Sequence, residues 1–246
     1  MSGPLAWLEP DWPAPPGVRV ISTLRTGGAS AGPYASLNLA AHVGDCAEAV
    51  AENRRRLRAA ADLPGEPLWL EQVHGVDVAV HDGTLAPRRA DASIAFSAGR
   101  VCAVMTADCL PIVLADRAGT RVGVAHAGWR GLVGGVVEAT VTRLGCDPQA
   151  LLAWLGPAIG AAAFEVGVEV REAFVSRSQG MSAGFEPNAR GRFQADLYGL
   201  ARQVLATAGV ISVHGGGWCT HTDADRFFSF RRDGTTGRMA TLAWLA

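Results

Sequence analysis

Three apolar segments follow one another closely in the middle of the chain, and they constrain the fold more than any other feature. The runs VCAVMTAD and LPIVLAD are predicted to be buried strands, a tight turn follows at residues 116–119, and RVGVAHAG is predicted to be a third strand. Strands joined by such a short turn pair antiparallel. A hairpin centred between Arg117 and Ala118 would place Cys109 opposite His126, so that the two side chains are cross-strand neighbours.

Helical patterns alternate with further strands over the rest of the chain. Asp45 followed by Glu48 forms a capping-box pattern that predicts a helix to about Ala61. The other predicted elements are strands at 18–26, 151–156, 210–214 and 239–245, helices at 131–145, 168–176 and 195–208, and a polar loop at 177–192. Hairpins mixed with helices predict an α/β (α+β) fold, a single layered domain over residues 1–246 in which a mixed β-sheet is flanked by helices. No G-x-G-x-x-G sequence follows a predicted strand, so a doubly wound dinucleotide-binding fold is not expected.

Composition excludes several classes of protein. Apolar residues make up 49% of the chain and charged residues 18%, which supports a sizeable core and excludes a disordered chain. The formal net charge of -1 argues against a nucleic-acid partner. All 22 basic residues are arginine, so Schiff-base chemistry and a P-loop are excluded by residue type. An anionic substrate would have to be held by arginine or by backbone N–H groups.

The N-terminal segment and the cysteines indicate a cytoplasmic protein without a membrane partner. Residues 1–17 lack the basic start and continuous apolar core of a signal peptide, and their prolines disfavour a helix. No apolar run reaches membrane-spanning length. The five cysteines are an odd number without a paired spacing, which is typical of a reducing compartment.

Three short motifs offer metal ligands beside glycine or proline. They are Q-V-H-G with His74, A-D-C-L-P with Cys109 and H-A-G-W-R-G with His126. Taken singly, each ligand residue is more often a buried cysteine or a core histidine. Their combination with the predicted hairpin favours a metal site, and a thiolate with two imidazoles suits zinc. Three protein ligands leave the fourth tetrahedral position for water, which is the arrangement of a catalytic zinc.

The order of these motifs resembles the signature of the YfiH/laccase-domain family, also called multicopper polyphenol oxidase-like or peptidoglycan editing factor-like. The resemblance extends to S-L-N-L, N-R-R-R-L, G-P-A-I-G, F-E-V, C-T-H-T and F-F-S-F-R-R-D-G-T-T-G-R-M-A, and covers the chain from about residue 19 to its end. It implies Zn²⁺ on His74, Cys109 and His126, and a layered fold similar to that of bacterial toxin deamidases. It also implies phosphorolysis of adenosine, inosine or methylthioadenosine to the free base and ribose 1-phosphate, with deamination of adenosine. The expected partners are therefore a small-molecule nucleoside and phosphate.

Several residues near the motifs are candidates for catalysis and substrate binding. Asp108, beside the cysteine ligand, is a candidate proton shuttle or binder of a purine nitrogen or ribose hydroxyl, although turn-capping aspartates are equally common. Arg130 is a candidate catalytic group that binds phosphate, because it lies at a helix start where backbone N–H groups also favour anions. Arg231 and Arg232 are further substrate-binding candidates, as is Asn38 in the S-L-N-L loop. Each of these also has an ordinary role at a surface or in a turn.

Three other functions use the same residues. One cysteine with two histidines is also the ligand set of a blue-copper centre, so copper is an alternative occupant and a copper-dependent polyphenol oxidase an alternative function. A multicopper enzyme needs on the order of ten histidines, some in HxH pairs, whereas this chain has 6 and no such pair. A cysteine hydrolase or amidase acting in peptidoglycan editing would use Cys109 as nucleophile and His126 as base. A metal-stabilised binding module is the third alternative.

Overall fold

The structure is a computed structural model that describes residues 5–85 and 88–246. Its strands are β1 (Trp7–Leu8), β2 (Val18–Thr23), β3 (Leu70–Glu71), β4 (Val78–Val80), β5 (Arg88–Arg89), β6 (Ala92–Ala95), β7 (Cys102–Thr106), β8 (Leu110–Asp116), β9 (Val122–Ala127), β10 (Leu151–Leu155), β11 (Glu165–Val166), β12 (Phe185–Pro187), β13 (Phe193–Ala195), β14 (Ser212–Gly215) and β15 (Met239–Leu245). Its α-helices are α1 (Ala47–Ala60), α2 (Trp129–Gly134), α3 (Val136–Leu144), α4 (Val168–Val175), α5 (Leu197–Thr207) and α6 (Phe230–Asp233), with short 3-10 helices at Gly32–Tyr34, Pro148–Ala150, Ala161–Ala163 and Gln179–Gly184.

Two larger sheets form the centre of the molecule. One has the strand order β14-β10-β8-β9-β6-β4 and the other the order β1-β2-β15-β7. In the six-stranded sheet β8 pairs antiparallel with both β9 and β10, whereas β14 and β4 pair parallel with their neighbours. The sheet is therefore mixed, as predicted.

Alternate residues of the central strands pack into different layers. Ile112 and Leu114 belong to the core formed with α3 and α5, whereas Val113 packs against residues of the four-stranded sheet. The outer face of that second sheet is covered by Leu57 of α1. Because side chains alternate across a strand, a central strand buried on both faces needs a continuous apolar sequence such as LPIVLAD. The predicted layered α/β class is confirmed.

The hairpin of β8 and β9 has a different register from the predicted one. Pro111, not Cys109, lies opposite His126, and Cys109 precedes β8. The turn is longer than the predicted one because the side chain of Asp116 accepts hydrogen bonds from the backbone N–H groups of Thr120 and Arg121. The prediction that the cysteine and histidine are cross-strand neighbours is therefore wrong, although both residues lie at the same end of the hairpin.

Two predicted helix boundaries also need correction. The helix predicted at 131–145 is interrupted at Gly135, whose φ of 106° is left-handed, so that α2 and α3 are separate. Helix α1 begins after Cys46 rather than at a capping box. The Asp45 carboxylate does not cap it and instead accepts hydrogen bonds from Ser30 and Asn38.

Smaller differences concern the chain ends and loops. The segment predicted as a polar loop at 177–192 contains a 3-10 helix and β12. Of the N-terminal segment predicted to lack a helix, residues 1–4 lie outside the described residues, and the part from residue 5 onward contains the short strand β1 and no helix. None of the helices within the described ranges has the length and apolar character needed to span a membrane.

Candidate metal centre

The structure brings together the three residues that the sequence predicts as metal ligands. The ligand atoms of His74, Cys109 and His126 all lie within 4.8 Å of one another. The Cys109 Sγ lies 3.9 Å from His74 Nε2, and the centroids of the two imidazole rings are 4.7 Å apart at an angle of 70°. We refer to these three residues as the ligand group.

A buried aspartate holds two of the three ligands in place. The carboxylate of Asp91 accepts hydrogen bonds from the backbone N–H groups of Val73, His74 and Gly75, at 3.1, 2.9 and 2.6 Å. Its Oδ1 also lies 2.8 Å from Nδ1 of His126. A carboxylate at Nδ1 leaves Nε2 of the same ring as the metal-binding nitrogen, which is the usual arrangement around metal-bound histidine.

The loop that carries His74 is constrained further by its own sequence. The side-chain amide of Gln72 donates to the carbonyl of Met105 at 2.8 Å and accepts from its N–H at 2.7 Å, so the loop is fastened to β7. His74 has a left-handed φ of 60°, which is uncommon for a residue other than glycine. The three hydrogen bonds to Asp91 hold the loop in that conformation.

A glycine allows the ligand group to close. A Cβ atom at Gly128 would lie 2.7 Å from the Cys109 Sγ and 3.4 Å from Cδ2 of His74. A side chain at this position would therefore displace the thiol. Gly128 belongs to the H-A-G-W-R-G motif, so its role explains part of that motif physically.

The electrostatics of the ligand group favour an ionised thiol. Burial opposes ionisation of Cys109, but the neighbouring imidazoles of His126 and His74 lower the pKa of the thiol to about 6. Burial also opposes a charge on His126, but the Cys109 thiolate and the Asp91 carboxylate raise the pKa of its imidazole to about 9. Without a metal ion, the two groups therefore form a thiolate–imidazolium pair at neutral pH.

This donor set fits a divalent metal ion. A thiolate and two imidazole nitrogens are ligands that zinc and copper both accept. The three donors already converge, and the Asp91 carboxylate orients one of them from behind. The described residues thus form a group that could hold a metal ion.

The ligand group opens into a cavity of about 400 Å³. Aromatic rings, aliphatic side chains and polar side chains all line it. The lining residues are His42, Gln72, His74, Met105, Thr106, Ala107, Asp108, Cys109, His126, Trp129, Arg130, Ile159, Phe164, Phe230, Arg231 and Arg238. We refer to Phe230, Arg231 and Arg238 as the C-terminal wall.

Besides Cys109, three of the predicted catalytic or substrate-binding residues line this cavity. Arg130 is exposed and its guanidinium carbon lies 4.4 Å from the centroid of the Trp129 ring. Arg231 is exposed, and its Nη1 donates to the carbonyl of Glu165 at 2.8 Å. Asp108 lines the cavity in a left-handed conformation with a φ of 87°.

The carboxylate of Asp108 is already engaged by the chain. Its Oδ1 accepts from the hydroxyl of Thr220 at 2.6 Å, and its Oδ2 accepts from the backbone N–H of Arg231 at 2.7 Å. These bonds tie the C-terminal wall to the residue next to the cysteine ligand. They favour a positioning role for Asp108 over proton transfer.

Two predicted substrate-binding residues are not brought to the cavity. Asn38 is fully buried, and its amide binds the backbone of Ala40 and Arg238 and the side chain of Asp45. The guanidinium of Arg232 donates to three backbone carbonyls between residues 220 and 227 and pairs with Asp233. The polar groups of both side chains are already hydrogen-bonded within the protein, and a motif alone does not reveal this.

Sequence reasoning missed several residues of the site. Asp91 is fully buried, and the only signal for it was a charged residue at the start of the apolar run ASIAF. Arg238 and Phe230 lie within the longest motif, which does not show that they face the site, and no motif marks His42. Phe164 lies in the F-E-V motif and contributes its ring to the cavity wall.

The fold and the site together define a class of protein, namely layered α/β proteins with a histidine–cysteine–histidine group that could hold a metal ion beside a small-molecule cavity. The family described as Multi-copper polyphenol oxidoreductase laccase matches residues 19–246, and the chain belongs to this family.

Relatives with curated names align over nearly the whole chain. The purine nucleoside phosphorylase YfiH of Escherichia coli strain K12 is 56% identical over 239 residues, which cover 97% of this chain and 98% of that protein. The purine nucleoside phosphorylase PA4543 of Pseudomonas aeruginosa is 56% identical over 241 residues, 98% of each chain. The crystal structure of the Neisseria meningitidis protein NMB0706 matches with a TM-score of 0.93 at 48% identity, covering 97% of this chain and 98% of that one. The resemblance to the YfiH/laccase-domain family is confirmed.

Proposed function

We propose that this protein is a cytoplasmic, zinc-dependent purine nucleoside phosphorylase that acts on adenosine, inosine or methylthioadenosine and phosphate. The observation that carries the proposal is the ligand group facing a cavity lined by both aromatic rings and arginines. Relatives 56% identical to this chain carry the name purine nucleoside phosphorylase. The substrates are small molecules, and no nucleic-acid or membrane partner is part of the proposal.

The cavity has the chemical character that these substrates require. The rings of Trp129, Phe164 and Phe230 offer apolar faces on which a planar purine can stack. Arginines of the same cavity offer forked donors for a phosphate dianion. Binding both reactants in one cavity aligns the phosphate with the C1′ atom of the ribose, and this alignment supplies a large part of the catalysis.

Each polar residue has a proposed task in this reaction. A bound zinc ion would supply a Lewis acid that stabilises developing negative charge. Arg130 at the start of α2 and Arg231 of the C-terminal wall offer exposed guanidinium groups to the substrates bound in the cavity. Asp108 positions Arg231 through its backbone N–H, and Asp91 keeps His74 and His126 in place.

The direct test is incubation with each nucleoside and inorganic phosphate, followed by chromatography of the products. Free base and ribose 1-phosphate are expected, and formation of inosine from adenosine would establish the additional deaminase activity that we propose. His74→Ala, Cys109→Ala and His126→Ala should each abolish metal binding and turnover without unfolding the chain. His214→Ala and Cys46→Ala, which remove residues outside the ligand group and the cavity, should keep both properties. Full activity in any of the three ligand variants would refute the site.

The metal content of protein purified without added metal tests the second part of the proposal. One equivalent of zinc is expected. One equivalent of copper together with turnover of phenols would instead identify a polyphenol oxidase, as the family description suggests.

A second candidate function is a cysteine hydrolase or amidase. One observation favours it: the Cys109 thiol, whose pKa is lowered, contacts His126, and His126 in turn contacts Asp91. A nucleophile, a base and an orienting carboxylate are arranged in this order in such enzymes. Hydrolysis that survives chelation and is lost on alkylation of Cys109 would support this candidate. Phosphorolysis of a nucleoside that is lost on chelation and restored by zinc would support the phosphorylase.

A further inference from the structure

The C-terminal wall contains a half-buried cation for which the described part of the chain supplies no carboxylate partner. Nη1 of Arg238 donates to the carbonyls of Thr236 and Gly237, at 2.8 and 3.0 Å. Across residues 5–85 and 88–246, no carboxylate oxygen lies within 4.0 Å of the guanidinium nitrogens of Arg238. Burial lowers the pKa of Arg238 below its usual range, and the nearby Cys109 and Asp108 only partly oppose this shift. Burial therefore disfavours the positive charge, and an anionic ligand would compensate for it.

The other two arginines of the cavity have less need of an anionic ligand. Arg130 and Arg231 are exposed to solvent, where water already satisfies a guanidinium. All three arginines lie near an aromatic ring of the cavity, so their exposure, rather than a ring contact, is what distinguishes Arg238. An anion gains more from a partly desolvated cation than from an exposed one, because charge interactions are stronger where water is excluded. Among the arginines of the cavity, Arg238 is therefore the one from which an anion should gain most.

Arg238 is held in place by a residue that the sequence assigned to substrate binding. Its backbone N–H donates to Oδ1 of the fully buried Asn38 at 2.9 Å, and its carbonyl accepts from the N–H of Leu39 at 3.2 Å. The preceding Gly237 is packed so closely that a Cβ atom there would lie 2.7 Å from the ring of Phe228. A backbone fixed on both sides presents the guanidinium at low entropic cost, as a preorganised binding site requires.

The same loop brings a histidine to the cavity. His42 follows Asn38 by four residues and lines the cavity together with Arg238. His42 is an exposed residue of the chain, and its partial desolvation lowers the pKa of its imidazole, with the charges of Arg238 and Arg54 lowering it further. Its imidazole is therefore neutral near pH 7, where it can donate a hydrogen bond without adding charge beside the arginine.

We propose that Arg238 and His42 form the subsite that binds the phosphate co-substrate, with Asn38 as the residue that positions Arg238. Arg238 supplies the charge and a forked pair of donors, and His42 supplies a single donor from the adjoining loop. That the bound anion is the phosphate co-substrate rests on the proposed function. The assignment gives Asn38 a role that acts through another residue rather than a direct contact.

Calorimetric titration of the metal-containing protein with inorganic phosphate tests the subsite without turnover. Arg238→Gln should weaken phosphate binding about tenfold or more, because a charge-assisted hydrogen-bonding group is lost. Arg238→Lys should recover part of the loss, since it keeps the charge but not the fork. His42→Gln should cost about threefold, the loss of one modest hydrogen bond. Arg143→Gln, which changes an exposed arginine on α3 away from the cavity, should bind phosphate like the wild type.

Kinetics separate this subsite from general damage. In Arg238→Gln the KM for phosphate should rise about tenfold or more, while the KM for the nucleoside and the metal content change less than about twofold. Unchanged phosphate affinity in Arg238→Gln, or a loss confined to Arg130→Gln or Arg231→Gln, would overturn the assignment. If Arg238→Gln fails to fold, as judged by thermal melting, the Lys and His42→Gln variants decide, and wild-type affinity in both would overturn it.

The outcomes for the subsite and for the proposed function are distinct. Wild-type protein that binds phosphate through Arg238 but consumes no nucleoside would refute the phosphorylase and retain the anion subsite. Nucleoside consumption with an unchanged phosphate KM in Arg238→Gln would retain the phosphorylase and refute the subsite. A wild-type protein that shows no phosphate binding would refute the subsite directly.

Discussion

Two buried aspartates each anchor one wall of the cavity, and they do so to different degrees. Asp91 is fully enclosed, and its carboxylate contacts three consecutive backbone N–H groups of residues 73–75 and the ring of His126. Asp108 is 8% exposed and accepts two hydrogen bonds from the C-terminal segment. The carboxylate of Asp91, which holds the ligand group, thus makes more hydrogen bonds than the carboxylate of Asp108, which holds the C-terminal wall.

The difference corresponds to what each wall must do. Metal ligands must hold their distances within a few tenths of an ångström, so their support has to be rigid. A wall that receives a substrate must tolerate its entry, and the C-terminal wall includes the exposed Phe230 and takes two of its three residues from the four-residue helix α6. We therefore expect substitutions at Asp91 to act on the metal and substitutions at Asp108 to act on the C-terminal segment.

The largest expected effect is at Asp91. Asp91→Asn keeps the shape but turns an amide NH₂ toward backbone donors, so metal affinity should fall about 10–100-fold, as for other carboxylates that support metal-bound histidine. Competition with a chromogenic chelator measures this loss. Asp77→Asn, which changes an exposed aspartate of the same loop, is the control and should bind metal normally. Wild-type metal affinity in Asp91→Asn would show that the Asp91 carboxylate is not needed to hold the ligand group.

The second prediction concerns the thiol after metal removal. In chelated protein Cys109 should react with iodoacetamide with a midpoint near pH 6, because its thiolate persists above the lowered pKa of about 6 and is lost as pH falls through that value. Asp91→Asn should move the midpoint up by about one unit, a tenfold change, since His126 loses the carboxylate that stabilises its charge. Cys102 is the internal control, because burial raises its pKa to about 12 and it should stay unmodified. A midpoint near pH 8.5 in the wild type would contradict the prediction.

The motifs were sufficient to predict the ligand group, but counting residues across the predicted turn gave the wrong register for the β8–β9 hairpin. His74, Cys109 and His126 were recognised from residue type and flanking glycine and proline, and the structure brings them together. The predicted register placed Cys109 opposite His126 by assuming a short turn, whereas the observed loop is longer and its N–H groups at Thr120 and Arg121 donate to the Asp116 carboxylate. Side-chain capping inside a turn depends on local hydrogen bonds that counting residues cannot detect.

Residues that act from behind the site were harder to predict. Apolar runs fixed the positions of β7, β8, β9, β10 and β15 because a strand buried on both faces leaves a continuous pattern. Asp91 and Arg238 left no such pattern, since their roles depend on which distant backbone groups they meet. The S-L-N-L motif predicts a substrate contact for Asn38, but a motif does not show that this side chain is buried and bound by the chain itself.

A smaller effect is expected at Gly128, where the backbone passes close to the thiol. Its φ of -59° is open to any residue, so alanine is tolerated conformationally and the effect is steric. The added Cβ would lie 2.7 Å from the Cys109 Sγ, and Gly128→Ala should weaken metal binding about fivefold, ~1 kcal/mol. Gly17→Ala, where a Cβ meets no atom within 4 Å, is the matched control. An unaffected metal affinity would show that the ligand group can shift without cost.

The smallest effect on the metal is expected at Asp108. Asp108→Asn loses one of two acceptors, so hydrogen exchange at the amide of Arg231 should accelerate about threefold to fivefold, while metal affinity stays within about twofold. Mass spectrometry of exchanged peptides and chelator competition measure the two quantities. A proton shuttle at this position would in addition lower kcat by about 100-fold or more. Because a positioning residue alters the wall that it holds and a proton shuttle alters the chemical step, the same variant decides between the two roles of Asp108.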